Sequence, residues 1–322
     1  MKTMRIKGLI AATFSTFNED GKLNLALIPA LVEKLLQDGV KGVFICGTNG
    51  EGPNLTIEER MQIAEEFIKV VNKRCLVLVH VGHPSITEAR KLAAHAQKIG
   101  ADAISAVAAF YFKPRSVENL VDCMAEIASA APEIPFYYYH IPVITGVAID
   151  LLEFLRLGEE QIPNLAGIKY TASTLHEYQA CLNYKDGKFD ILYGYDELLL
   201  PALAVGAEGA IGSTYTFAAP LYLRVMEYFR QGKIAEARQM QFHAVRMIQC
   251  LSRYAPIPTQ KSIMKILGMD LGPCRLPLTN LSAAEQQDIS SYLDAIDFRN
   301  VLEAASSGLT PANGTVTSNM QV

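Results

Sequence analysis

Two hydrophobic periods alternate along the chain. Short apolar runs recur at "KGLIAAT", "GVFICG", "LVLVHVG", "AISAVA", "PFYYYH", "LAGIKY", "DILYG" and "GAIGS". Runs of this length, bounded by glycine, proline or polar residues, fit buried strands. Between them lie segments with apolar residues at helical spacing, such as "LALIPALVEKLLQ", "ITEARKLAAHAQKI" and "SVENLVDCMAEIASA". Two helix starts carry capping-box spacing, Thr56 with Glu59 and Ser85 with Glu88. Strand–helix alternation repeated through residues 1–230 predicts an α/β chain closed as a (β/α)8 TIM barrel, in preference to an open doubly wound sheet.

Three more helical segments follow, at "AEARQMQFHAVRMIQCL", "PTQKSIMKILG" and "SAAEQQDISSYLDAI". They predict a C-terminal helical extension of the same domain over residues 231–300. Residues 301–322, which end in the small polar stretch "SSGLTPANGTVTSNMQV", are expected to form a disordered tail.

Composition removes several function classes. The 322 residues are half hydrophobic with a formal net charge of -4, and no run of basic residues suggests nucleic-acid or membrane-surface binding. No window approaches the ~20 apolar residues of a membrane span. The basic start "MKTMRIKGLIAATFS" is interrupted by Lys7 and reads as a first strand, not a signal peptide. Six scattered cysteines without a CxxC pair suit reduced, mostly buried thiols in a cytoplasmic protein. His80 and His83 have a spacing some metal sites use, but no cysteine or acidic cluster accompanies them. A strand end followed by a turn explains that pair, so no metal is expected.

Candidate chemistry sits at the ends of the runs. In such a barrel, reactive groups occupy the C-terminal ends of the strands. The second run ends in "CGTNGEG", the fourth continues to "AFYFKP", and the fifth ends in "YYYHIP". The sixth, seventh and eighth end in "IKYT", "YGYDE" and "IGST". Each has a plain structural explanation when taken alone. "GTNGEG" suits a glycine-rich turn or an anion cradle built from backbone N–H groups and Thr48; it lacks the GK[ST] of a phosphate loop. Tyr138 suits wall packing, whereas Tyr139 at the strand end reaches a substrate. Asp196 and Glu197 suit a helix start or the hydroxyls of a polyol. Lys169 suits one half of a buried ion pair, or a nucleophile whose pKa burial has lowered from ~10.4.

Together, "YYYHIPVITG", "GIKYT", "GYDELL", "AIGSTY" and "GPCRLPL" resemble the N-acetylneuraminate lyase and dihydrodipicolinate synthase superfamily of pyruvate-dependent class I aldolases, over roughly residues 5–280. The motifs are most similar to the lyase branch. This resemblance implies a Schiff base between Lys169 and pyruvate, with no other cofactor, and Tyr139 as the proton relay. It implies that Thr48 and Asn49 hold the pyruvate carboxylate, and that Tyr111 serves a neighbouring subunit of a homotetramer. Thr171, Gly194, Asp196, Glu197 and Ser213 match positions that line a sugar pocket. The implied substrate is N-acetylneuraminate; a shorter 2-keto-3-deoxy sugar acid, or pyruvate binding without turnover, is the alternative. Two positions depart from the pattern. Thr48-Asn49 stands where the family has Thr-Thr or Ser-Thr, and Ala109 stands where a proline often precedes the aromatic pair.

Overall fold

The computed structural model describes residues 5–307. Eight parallel strands close into one barrel: β1 (Gly8–Ala12), β2 (Gly42–Ile45), β3 (Leu76–His80), β4 (Ala103–Val107), β5 (Phe136–His140), β6 (Leu165–Tyr170), β7 (Asp190–Tyr193) and β8 (Gly209–Gly212). Every strand pairs with its sequence neighbours, and β8 returns to β1 through Gly8–Gly209 and Ala11–Gly212. All eight apolar runs are therefore strands. Their continuous apolarity follows from burial on both faces.

Alternation along each strand separates two cores. Ile10, Phe44, Leu78, Tyr137, Tyr139, Leu192 and Ile211 fill the barrel interior. Leu9, Val43, Val79, Tyr138 and Ile168 join the layer between strands and helices. Tyr138 packs on Phe154 with ring centroids 4.6 Å apart, the wall role expected of it. The same alternation explains a lysine in an apolar run. Ile168 faces the helices, so Lys169 faces the interior at the strand's end.

Helix starts follow local chemistry. Thr56 caps the helix Ile57–Val71 in a reciprocal capping box with Glu59. Ser85 accepts from the Glu88 N–H at the start of Ile86–Lys98. A second reciprocal box, Ser282 with Glu285, begins Ala283–Ala295.

The extension differs from expectation at its end. Ile234–Leu251, Pro256–Ile266 and Ala283–Ala295 match the three expected helices, but Phe298–Ser306 forms a fourth. Residues 301–306, assigned to the disordered tail, thus complete a helix that seats Phe298 and Ala305 in the core. Residues 308–322 of that tail lie outside the described residues. All six cysteines are free thiols, five of them buried. Among the described residues no helix is long and apolar enough to cross a membrane.

Candidate active site

A cavity of about 550 Å³ opens at the C-terminal ends of the strands. Thr48, Asn49, Tyr139, Lys169, Thr171, Gly194, Asp196, Glu197 and Ser213 all line it. Nine of the ten expected site residues are brought together. Tyr111 is the exception: it stands 77% exposed beside Phe112, their rings edge-to-face at 5.0 Å, outside the cavity of its own chain.

Lys169 lies at the cavity floor, 3% exposed, directly across the β5–β6 ladder from Tyr139. Its Nζ sits 4.0 Å from the ring centroids of both Phe44 and Tyr139. Among the described residues it has no ion pair within 4.0 Å, which disposes of the buried-pair explanation. Burial lowers its pKa from 10.5 to about 7, against the opposing pull of the Asp196 charge. Close to half of such amines are neutral near pH 7. That is the condition for a nucleophile.

Burial acts on Tyr139 in the opposite sense, pushing the phenol up to about 12, while the hydroxyls of Thr48 and Thr171 nearby hold it down. Thr171 Oγ1 nevertheless has no well-formed hydrogen bond. The residue in the cavity wall thus keeps an oxygen uncommitted.

The "GTNGEG" turn is held in an unusual backbone. Cys46 and Glu51, neither of them glycine, adopt left-handed φ of 56° and 53°. Gly52 is required there because a Cβ would stand 2.0 Å from the Cys46 carbonyl oxygen. The Glu51 and Gly52 N–H groups donate to Thr48 and Gly47 carbonyls. Those of Thr48 and Asn49 have no acceptor among the described residues, which leaves donors for an anion.

Asp196 is buried and accepts from the Thr214 N–H at 2.8 Å and the Thr214 hydroxyl at 2.6 Å, both on Oδ2. Its Oδ1 has no partner. Burial raises its pKa to about 6, and it also raises that of Glu197. Gln241 of the helix Ile234–Leu251 donates to the Asp196 and Glu197 carbonyls at 3.2 and 3.0 Å. It accepts from the Leu200 N–H at 3.0 Å.

Several supporting residues escaped the sequence reading. Besides Thr214 and Gln241 they include Glu51, which pairs with buried Lys261 at 3.0 Å, and Gln260, which accepts from Asn49 Nδ2 at 3.2 Å. Arg60 is 2% exposed and donates to the carbonyls of Gly82 and His80. His80 itself is buried, its ring 6.0 Å edge-to-face from Tyr139, and burial holds its pKa well below 6.5. In the turn that follows, His83 accepts from the Ser85 N–H at 3.0 Å. Among the described residues no group of three or more histidine, cysteine or acidic side chains is placed to hold a metal.

Known proteins resemble this chain in sequence and in fold. The N-acetylneuraminate lyase of Xenopus tropicalis is 42% identical over 289 residues, covering 88% of this chain and 94% of that protein. The structure of Proteus mirabilis N-acetylneuraminate lyase superposes with a TM-score of 0.89 at 36% identity, covering 92% of this chain and all of the other. The sialic acid aldolase of Aliivibrio salmonicida also superposes at 0.89, with 38% identity and coverage of 92% and 98%. The model of the Dihydrodipicolinate synthetase family matches residues 5–296. The resemblance drawn from the strand-end motifs therefore holds, and this chain belongs to the Dihydrodipicolinate synthetase family.

Proposed function

We propose that this protein is a class I aldolase that cleaves N-acetylneuraminate to N-acetylmannosamine and pyruvate through a Schiff base at Lys169. The observation that carries the reading is a buried lysine without an ion-pair partner, its pKa near 7, beside a tyrosine on the floor of a cavity. Neutral Lys169 attacks the C2 carbonyl of the open-chain substrate, and loss of water gives an iminium. The cationic nitrogen then rests on the Phe44 and Tyr139 ring faces, a contact worth ~0.5–2 kcal/mol to a desolvated cation. Tyr139 gives its phenol proton to the hydroxyl that departs as water, and the phenolate left behind removes the C4 hydroxyl proton as the C3–C4 bond breaks, while the bonding electrons pass into the iminium to form an enamine. Protonation at C3 and hydrolysis release pyruvate and return the amine.

The free N–H groups of Thr48 and Asn49 suit the pyruvate carboxylate. Asp196, Glu197, Ser213 and Thr171 line the cavity and suit the hydroxyls of the sugar chain. Ile144, at the cavity rim, supports a sugar over aspartate semialdehyde, because an aldehyde with its own carboxylate needs a charge-assisted partner there. The relatives named lyases point the same way. The exposure of Tyr111 and Phe112 supports a homotetramer in which Tyr111 enters a neighbour's cavity.

The test has two parts on one preparation. Borohydride with pyruvate is expected to leave a reduced three-carbon adduct on Lys169. Pyruvate release, measured across 2-keto-3-deoxy acids, is expected to be far faster from N-acetylneuraminate than from shorter acids. An adduct on another lysine overturns the mechanism. Preference for a shorter acid overturns the substrate, and an adduct without release from any acid leaves a pyruvate-binding protein.

A further inference from the structure

The helix Pro256–Ile266 holds the "GTNGEG" turn with two consecutive residues. Lys261 takes Glu51, 210 residues away, and donates also to the Pro273 carbonyl at 3.0 Å. Gln260 takes Asn49. The two contacts differ in kind. The Lys261–Glu51 pair is closed off, with side chains 5% and 0% exposed, and Glu51 accepts further from the Arg275 N–H at 2.9 Å. The Gln260–Asn49 pair lines the cavity.

Two primary amides carry four N–H donors, and the single bond between them uses one. This count is the same whichever amide is the donor, since nitrogen and oxygen exchange by a flip. Three donors therefore remain at the wall beside the uncommitted N–H groups of Thr48 and Asn49. Asn49 stands where a hydroxyl is usual, and a flexible amide needs something to fix its rotamer. Gln260 is 3% exposed and positioned by the helix that anchors Glu51.

We propose that Gln260 is a positioning residue for substrate, fixing the Asn49 amide so that the turn presents an ordered set of donors to the pyruvate carboxylate. This rests on the aldolase reading of the same site. The contact acts on the part of the substrate that does not react, so it contributes to binding and little to the chemical step.

The experiment is borohydride trapping across pyruvate concentrations. In Gln260→Ala the concentration for half-maximal trapping is expected to rise about two- to tenfold, the range for one lost hydrogen bond, with the maximal rate nearly unchanged. Gln260→Glu keeps an acceptor for Asn49 but sets a negative charge beside the cradle, so it is expected to raise half-saturation further. The double variant Asn49→Ser/Gln260→Ala is expected to bind pyruvate no worse than Asn49→Ser alone. Should Gln260→Ala not fold, Gln260→Met decides, because it keeps the length of the side chain and removes both amide atoms. Unchanged half-saturation in the folded Gln260 variants, or full additivity in the double variant, overturns the proposal. Absence of a wild-type adduct at Lys169 overturns the aldolase reading instead.

Discussion

The barrel holds a buried aspartate and an inward tyrosine at each end, and the two pairs meet opposite fates. At the N-terminal end Asp190 Oδ2 accepts from the Tyr137 hydroxyl at 2.9 Å and from the Ile6 N–H at 3.1 Å. No buried side-chain oxygen of that pair lacks a partner. At the C-terminal end, two residues further along the same strand, Tyr139 faces Lys169, while Asp196 Oδ1 and Thr171 Oγ1 remain unpartnered around a cavity. Burial raises the pKa of both aspartates to about 6. Perturbed acidity therefore does not separate the two ends. Hydrogen-bond saturation does, because a filled network stabilises whereas an open one waits for a ligand.

Removing the amine breaks the contrast most severely. Lys169→Met is expected to abolish adduct formation and to lower turnover ~10⁴–10⁶-fold, in line with the loss of a nucleophile. The same change replaces a buried amine by an apolar chain of similar length, so thermal unfolding should move to higher temperature. Loss of stability with retained turnover would reverse the roles of the two ends.

The paired tyrosines sharpen it. Tyr139→Phe is expected to reduce turnover ~10²–10⁴-fold while trapping at Lys169 largely persists. Tyr137→Phe is expected to leave turnover near wild type and to destabilise the fold by ~1–3 kcal/mol, since Asp190 loses a buried donor. Steady-state assays and denaturant titrations on both variants check this, and equal kinetic losses would contradict it.

Titration gives the smallest effect. Schiff-base formation should rise with pH around a midpoint near 7, as Lys169 loses its proton. Asp196→Asn removes the charge that favours the protonated amine, so the midpoint should fall; Asp190→Asn should leave it in place. Stability reports the other end. Asp190 has its pKa raised from 3.8 to about 6 on folding, so its native state is favoured while the carboxyl is protonated. That contribution is full below pH ~4 and is lost as pH rises through about 6. Unfolding curves of wild type and Asp190→Asn should diverge over that interval.

The eight strands and the reactive ends were legible because each depends on local pattern: burial on both faces gives an unbroken apolar run, and the lysine in "GIKYT" interrupts one. The supports were not legible. Glu51 sits in a motif already explained as a turn, and nothing near it in sequence indicates Lys261. Gln241 looks like any polar residue on an exposed helix face until the helix is docked. The role expected of Tyr111 rests on resemblance alone, and in the single chain the residue stands in solvent. The short helix Phe298–Ser306 was hidden by polar residues on its outer side, and packing is what orders it.

The attachment of the "GTNGEG" turn to the distant helix Pro256–Ile266 has a consequence for the order of assembly during synthesis. Asn49 and Glu51 emerge from the ribosome about 210 residues before their partners. A nascent chain carrying all eight strands would already place Lys169 beside Tyr139, yet the carboxylate cradle would lack both of its tethers. Contacts of such long sequence separation form late, after the loop-closing entropy has been met by the rest of the barrel. The tethers of the cradle are thus the last part of the site to be synthesised.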